Sequence, residues 1–192
     1  MSLAPVAQAL LDYWFAGTPE ECKARWWQKN EAVDQEIRAQ FGDHVDEAVA
    51  GTYDGWQTTA RGTLALILLL DQVTRTIARG SARSFIGDAK AREVLRDALD
   101  RGADKDLSEG AERSFLYMPL MHSERLADHD LSLTIFAALG ESHPEFAGFS
   151  GYAKSHRDIV EQWGRYPHRN EALGRVSTPQ ELVFLEGPNS GF

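Results

Sequence analysis

One cysteine, Cys22, stands among 192 residues. A lone thiol can neither close an intramolecular disulfide nor build a zinc site, so a disulfide scaffold is excluded and a reducing compartment is expected. Cys22 itself is expected to be a small, half-buried hydrophobe. Long hydrophobic runs are missing as well. The longest, Leu64 to Leu70, has seven residues, against the roughly 20 that a bilayer-crossing helix needs. The opening MSLAPVAQALLDYWF lacks a basic start, and Gln8 and Asp12 interrupt its apolar stretch, so no secretory signal is expected and a cytoplasmic location follows. Basic charge is in deficit: the net charge is −9, which speaks against nucleic acid as a partner, because phosphate neutralisation needs a clustered basic surface. A membrane partner is not expected either.

Chemical signatures are equally sparse. No Gly-rich phosphate loop, no nucleophile elbow and no His-Glu-x-x-His occur. His122-x-Glu124 resembles half of the zinc-deaminase signature, but the accompanying Pro-Cys-x-x-Cys is impossible with one cysteine. Neither a metal nor a cofactor is expected. Sustained period-two alternation flanked by hairpin turns is absent too, which removes the main signal for strands.

What the sequence does contain is helical punctuation. With 43% hydrophobic and 26% charged residues it is ordinary globular material. No internal repeat, low-complexity tract or linker divides it, so residues 1–192 are read as one all-α domain of roughly eight or nine helices. The first is expected over Pro5 to Phe15, stopping at Gly17. Thr18 caps the next, with Pro19 at its first position. Asn30 caps a helix whose buried stripe is Val33, Ile37 and Phe41. Asp43 to Ala50 forms a short helix and 51–56 a loop. Thr58 or Thr59 opens a helix that is apolar on every side across Leu64 to Leu70 and belongs at the centre of a domain. Gly80 and Gly87 bracket an irregular connection, Asp88 caps a helix to about Arg101, and Ser108 starts another that carries Phe115, Met118 and His122. Glu124 to Leu139, ended by Gly140, and Tyr152 to Trp163, ended by Gly164, follow. Thr178, Pro179 and Glu181 form a capping-box start for a last helix to about Leu185.

Several residues break local rules, which is where functional groups concentrate. Asp71 is expected at the end of the all-apolar helix, an acid beside a helix C-terminus and a buried segment, with Arg75 one turn on as its structural partner. Pro119 removes a backbone donor and is expected to kink its helix, re-aiming His122 and Glu124. His156 shares a stripe with Tyr152, Ile159 and Trp163, as a core histidine would. The segment Gly164-Arg-Tyr-Pro-His-Arg-Asn170 is dense in donors and lies where the charge turns basic: residues 150–175 hold five Lys or Arg against three acids, whereas residues 1–57 hold ten acids against four Lys or Arg. Such a loop either holds a ligand or staples helix ends. The excess of Arg over Lys, fifteen to five, fits fork-shaped recognition of carboxylate or phosphate, and equally a codon preference.

Taken together, LALILLLDQ at 64–72 with Arg75, FLYMPL-x-HSE at 115–124, LAD at 126–128 and HRDIVEQWGRYPHRN-x-x-LGR at 156–175 resemble the bacterial family catalogued as domain of unknown function number 924. The early Trp14-Phe15 pair and STP-x-EL-x-FL at 177–185 extend the likeness over nearly the whole chain. The resemblance implies a tetratricopeptide-like stack of helix pairs and no particular chemistry. The chain departs from the family where Val73-Thr74 replaces Phe-Pro and where Arg125 and His129 replace an acid and a glutamine, which counts against His129 as a site residue.

Three functions fit. A binding module would present a small anionic ligand or a peptide with Arg75, Arg165 and Arg169 as forks and His122, His156 and Asn170 as neutral partners, with Asp71, Gln72, Glu124 and His168 nearby. An enzyme would place Asp71 or Glu124 against His122 or His156 for proton transfer. A purely structural protein would spend all of them on packing and caps. The sharpest expectation is that Arg165 and His168 converge with His122 and Asp71 on one polar pocket.

Overall fold

The computed structural model describes residues 3–107, 110–188 and 190–191. Its helices are α1 (Pro5–Phe15), α2 (Pro19–Trp27), α3 (Glu31–Phe41), α4 (His44–Ala50), α5 (Ala60–Ile67), a π-helical segment (Leu68–Val73), α6 (Thr74–Ile77), α7 (Asp88–Asp100), α8 (Gly110–His122), α9 (Leu126–Ser142), α10 (Phe149–Trp163) and α11 (Pro179–Leu185), joined by short 3-10 turns. No strand occurs among the described residues, so the protein is all-α. None of the described helices is long and apolar enough to cross a membrane. The contacts divide the chain into two compact units, Met1–Arg79 with Arg83–Pro119 and Gly80–Ala82 with Leu120–Phe192.

Unit 1 is organised by the helix that runs without a break through α5, the π segment and α6. Every residue from Leu64 to Leu70 is buried. α1 and α7 pack on α5, and α3, α4 and α7 pack on the π segment. Burying such side chains contributes about 1.5–3 kcal/mol each, which is why the seven-residue apolar run lies in the middle of the unit. Phe115 of α8 anchors the other side. Trp14, Phe15, Trp26 and Trp27 surround its ring at 4.9–5.8 Å. The tryptophans are packing anchors, as a chain this acidic leads one to expect.

Unit 2 is built on α9 and α10, which pack along each other. Ile159, Val160 and Tyr166 form its apolar heart, with Trp163 and Phe184 against them. α11 begins with a reciprocal capping box between Thr178 and Glu181, and α2 with the same device between Thr18 and Glu21.

α10 begins one turn before the expected Tyr152, at Phe149, and four other boundaries differ from the sequence expectation for a tertiary reason. Asp71 does not end a helix, because the chain shifts register and continues through it. Asp88 is the first residue of α7 and no cap: Gly87 takes the cap position, where a Cβ would lie 2.1 Å from the Leu70 carbonyl oxygen, and the Asp88 carboxylate turns to Arg75 instead. Gly140 does not end α9. A Cβ there would lie 2.9 Å from the Ala147 backbone, so the glycine serves close packing inside the helix. Finally, α9 starts at Leu126, since Glu124 is drawn into a network described below. The stretch expected as a loop at 51–56 runs into a 3-10 turn, Asp54–Thr58. The expected helix start at Ser108 lies outside the described residues.

Candidate functional site

In unit 1, Asp71, Gln72 and Arg75 belong to one closed array. A π turn reaches back five residues where an α turn reaches four, so at the change of register a carbonyl loses its α-type donor. Thr74 Oγ1 lies 3.0 Å from the carbonyls of both Leu70 and Asp71, and Arg75 Nη1 donates to the Asp71 carbonyl at 2.6 Å. The fully buried Asp71 carboxylate pairs with Arg75 at 3.0 Å, and Arg75 pairs with Asp88, also at 3.0 Å. The Gln72 amide donates to the Asp71 carboxylate and approaches the Met118 sulfur. A buried ion pair that also satisfies displaced backbone carbonyls holds a register change in place.

In unit 2, imidazoles from three helix regions gather on the ring of Tyr166, which is fully buried and whose hydroxyl donates to the Met121 carbonyl at the end of α8. His129 of α9, His156 of α10 and His168 lie with ring centres 6.1, 6.0 and 5.3 Å from that of Tyr166. The guanidinium of Arg169, itself only 6% exposed, sits over the same ring at 4.4 Å. His122, at the end of α8, is 6.3 Å from His156. His122 and His168 are half-buried, so the cluster reaches the surface through them.

Backbone carbonyls fix two of these rings. A carbonyl can only accept, so His129 Nε2 must donate to Ser123 O (2.7 Å) and His156 Nδ1 to Tyr152 O (2.7 Å). The opposite nitrogens, His129 Nδ1 and His156 Nε2, are then acceptors in the neutral rings, and His129 Nδ1 is buried with no hydrogen-bond partner among the described residues. Burial, followed by the charge of His122, pushes His156 down to about 3 against the opposing bond to Tyr152, and His129 and Arg169 add to the effect. Burial likewise lowers His129, helped by His122 and Arg157 and opposed by the Ser123 bond and Asp128. In both rings burial is the largest cause of the lowering, and the neighbouring charges add to it.

The remaining loop residues staple the chain. Arg175 grips the Glu124 carboxylate at 2.7 and 2.9 Å and also donates to the Tyr166 carbonyl and to Asn170 Oδ1, both at 3.0 Å. The Tyr166 amide donates to Glu124 at 2.8 Å, and Asn170 Nδ2 donates to Ser177. Burial alone would raise the Glu124 carboxyl, but these donors outweigh it and hold it below the ordinary carboxylate value. Arg165 binds Glu181 through two contacts of 2.7 Å and the Val176 carbonyl at 3.0 Å, which with the Thr178 amide holds the Glu181 carboxyl down at about 2.

Of the ten residues singled out from sequence, His122, His156, His168 and Arg169 thus share the Tyr166 cluster. Glu124, Arg165 and Asn170 lie in the stapling pairs, with Arg165 held by Glu181 rather than turned to the histidines. Asp71, Gln72 and Arg75 stand in their own array in unit 1. Sequence reasoning set His129 aside and did not single out Tyr166, Arg175 or Glu181 as site residues. Tyr166 lay inside the donor-rich run. Among the described residues no group of three or more His, Cys, Asp or Glu could hold a metal ion.

These features define an all-helical protein with a histidine-rich, arginine-backed polar cluster. The chain belongs to the family described as bacterial protein of unknown function (DUF924), whose model matches residues 10–189. A solved structure of a protein of unknown function from Agrobacterium tumefaciens is similar, with 36% identity, 95% of this chain and 98% of that chain covered, and a TM-score of 0.83. No curated protein matches.

Proposed function

We propose that the protein is a binding module and that the Tyr166 cluster of unit 2 takes a small anionic ligand. The observation that carries this reading is geometric: the Arg169 guanidinium lies over the Tyr166 ring at 4.4 Å, and the imidazoles of His129, His156 and His168 are grouped round the same ring at 6.1, 6.0 and 5.3 Å. Arg169 supplies a fork pre-oriented by stacking on Tyr166, and the half-buried His122 and His168 offer entry. The acid–base enzyme is the weaker reading. The bonds that orient His129 and His156 go to carbonyls, while Asp71 and Glu124 are bound by Arg75 and Arg175. A reducing, cytoplasmic setting fits the buried thiol Cys22.

The test is titration calorimetry with phosphate, sulfate, succinate, L-malate and a short acidic peptide against the wild type and Arg169→Gln. Saturable binding of at least one small anion, weakened about tenfold or more in the variant, supports the reading. Binding unaffected by Arg169→Gln, or binding of the peptide alone, argues against it.

A further inference from the structure

Unit 1 holds a separate set of titratable side chains, His44 and Glu47 of α4 and Tyr53 of the turn after it. His44 Nδ1 lies 2.6 Å from the Tyr53 hydroxyl and 3.2 Å from the Glu47 carboxylate, and the Tyr53 hydroxyl donates to that same carboxylate. The hydrogens of this triangle can be counted. Bonds from Tyr53 and then His44 hold the Glu47 carboxyl below its ordinary value, so it is ionised and only accepts. Burial, followed by the bond to Glu47, raises the Tyr53 hydroxyl to about 12, so it keeps its single hydrogen, which Glu47 takes. His44 Nδ1 then faces two oxygens with no hydrogen to spare and must itself carry one. The neutral ring is left with its lone pair on Nε2, the reverse of the tautomer that free histidine prefers. Nε2 makes no hydrogen bond among the described residues, and the side chain is 29% exposed, so that lone pair is open to solvent. An imidazole oriented by a carboxylate at one nitrogen and bare at the other is what a nucleophile requires. His143, with Glu145 only at 3.7 Å, lacks so close an orienting partner.

We propose that His44 Nε2 is a nucleophile for uncharged acyl compounds such as esters, with Glu47 and Tyr53 as its positioning residues. Two features set the substrate class. Asp43, Asp46, Glu47 and Asp54 fall between residues 43 and 54, where there is no Lys or Arg, so an anionic donor such as an acyl phosphate is repelled. Tyr53 stacks on Trp56 at 4.4 Å and touches the His44 ring at 5.9 Å, an aromatic shelf beside the nucleophile that suits an apolar acyl or aryl group. In the reaction the Nε2 lone pair forms a bond to the ester carbonyl carbon, and the bond from that carbon to the alkoxy oxygen breaks with its electron pair leaving on the alcohol. The ring gains a positive charge next to the Glu47 carboxylate. Water then cleaves the nitrogen–carbon bond, giving the carboxylic acid and restoring the imidazole, so that the net change is hydrolysis of the ester. The Tyr166 cluster takes no part in it.

Three measurements on the full chain test this. Nitrogen-15 spectra of the wild-type histidine rings should show His44 protonated at Nδ1 and bare at Nε2, and Glu47→Gln should move the proton towards Nε2. Diethyl pyrocarbonate, an uncharged acyl donor, should modify His44 before His143 when the products are mapped by mass spectrometry. Release of 4-nitrophenolate from 4-nitrophenyl acetate should fall about tenfold or more in His44→Gln, fall in Glu47→Gln together with the change of tautomer, and stay unchanged in His143→Gln. The first two wild-type measurements stand even if a variant fails to fold. A His44 ring protonated at Nε2, modification of His143 ahead of His44, or ester cleavage that a folded His44→Gln retains overturns the inference.

Discussion

The guanidinium of Arg169 lies 4.4 Å from the centre of the Tyr166 ring, while the Tyr166 hydroxyl is spent on the Met121 carbonyl. The tyrosine therefore acts as a platform: its ring face holds the cation and its hydroxyl ties the end of α8 to the loop after α10. Tyr166→Phe keeps the ring and leaves a buried carbonyl without its donor. It is expected to cost about 1–3 kcal/mol in urea melts while Arg169 stays stacked. A cost within a few tenths of a kcal/mol, the scatter of a surface change, would mean that water reaches the Met121 carbonyl.

The histidines make stability fall on acidification. His156 has its imidazole pushed from 6.5 to about 3 and His129 is lowered as well, so the unfolded chain binds these protons more readily than the folded one. The stability contributed by the neutral rings is complete above about pH 6.5 and is lost as pH falls from there towards 3, with a slope of up to about 1.4 kcal/mol per pH unit per proton. Guanidinium melts between pH 7.5 and 4.5 check this. His156→Phe should flatten the profile in that window, whereas an unchanged slope would show that the ring is protonated in the fold.

The π segment rests on Asp71, Arg75 and Thr74. Asp71→Ala leaves Arg75 without its buried partner and should cost about 3–5 kcal/mol, against under about 1 kcal/mol for Asp46→Ala, which removes an exposed pair with Arg83. Equal costs for the two would place Asp71 in contact with solvent.

Gly87 provides a second handle on the same segment. A methyl group there meets the Leu70 carbonyl oxygen at 2.1 Å, closer than any real contact, and the atom it meets is backbone. Gly87→Ala should therefore destabilise by about 1–3 kcal/mol and speed amide exchange across 68–74. An alanine tolerated without cost would mean that α7 can shift away from the π segment.

Much of the fold was legible because it is locally encoded. Pro5 in the first helical turn, the Thr18–Glu21 and Thr178–Glu181 boxes and Asn30 as a cap fix helix starts with atoms a few residues apart, and the structure has each of them. The all-apolar run from Leu64 to Leu70 forecast a central helix for the same reason. What stayed hidden depends on distant partners. The register shift at Asp71 needs Gly87 against Leu70, the continuation of α9 through Gly140 needs Ala147, and the role of Glu124 needs Arg175, 51 residues on. In the candidate site, His122, His156, His168 and Arg169 were visible as chemistry-bearing residues near a helix break. Tyr166 was not, because its part is to hold a ring between groups from α9, α10 and the following turn. His129 was set aside as a departure from the family pattern, and its bare Nδ1 becomes visible only once the Ser123 carbonyl is seen to take Nε2.

The most direct test of the account is a histidine-selective nuclear magnetic resonance titration of the wild type with inorganic phosphate and with L-malate at pH 6.5. The account predicts saturable shifts of the His156 and His129 ring signals, with the His156 imidazole becoming easier to protonate as the anion binds, and the loss of both effects in Arg169→Gln. Ring signals that stay still at millimolar anion, or that move equally in Arg169→Gln, would contradict the claim that the Tyr166 cluster is an anion-binding site.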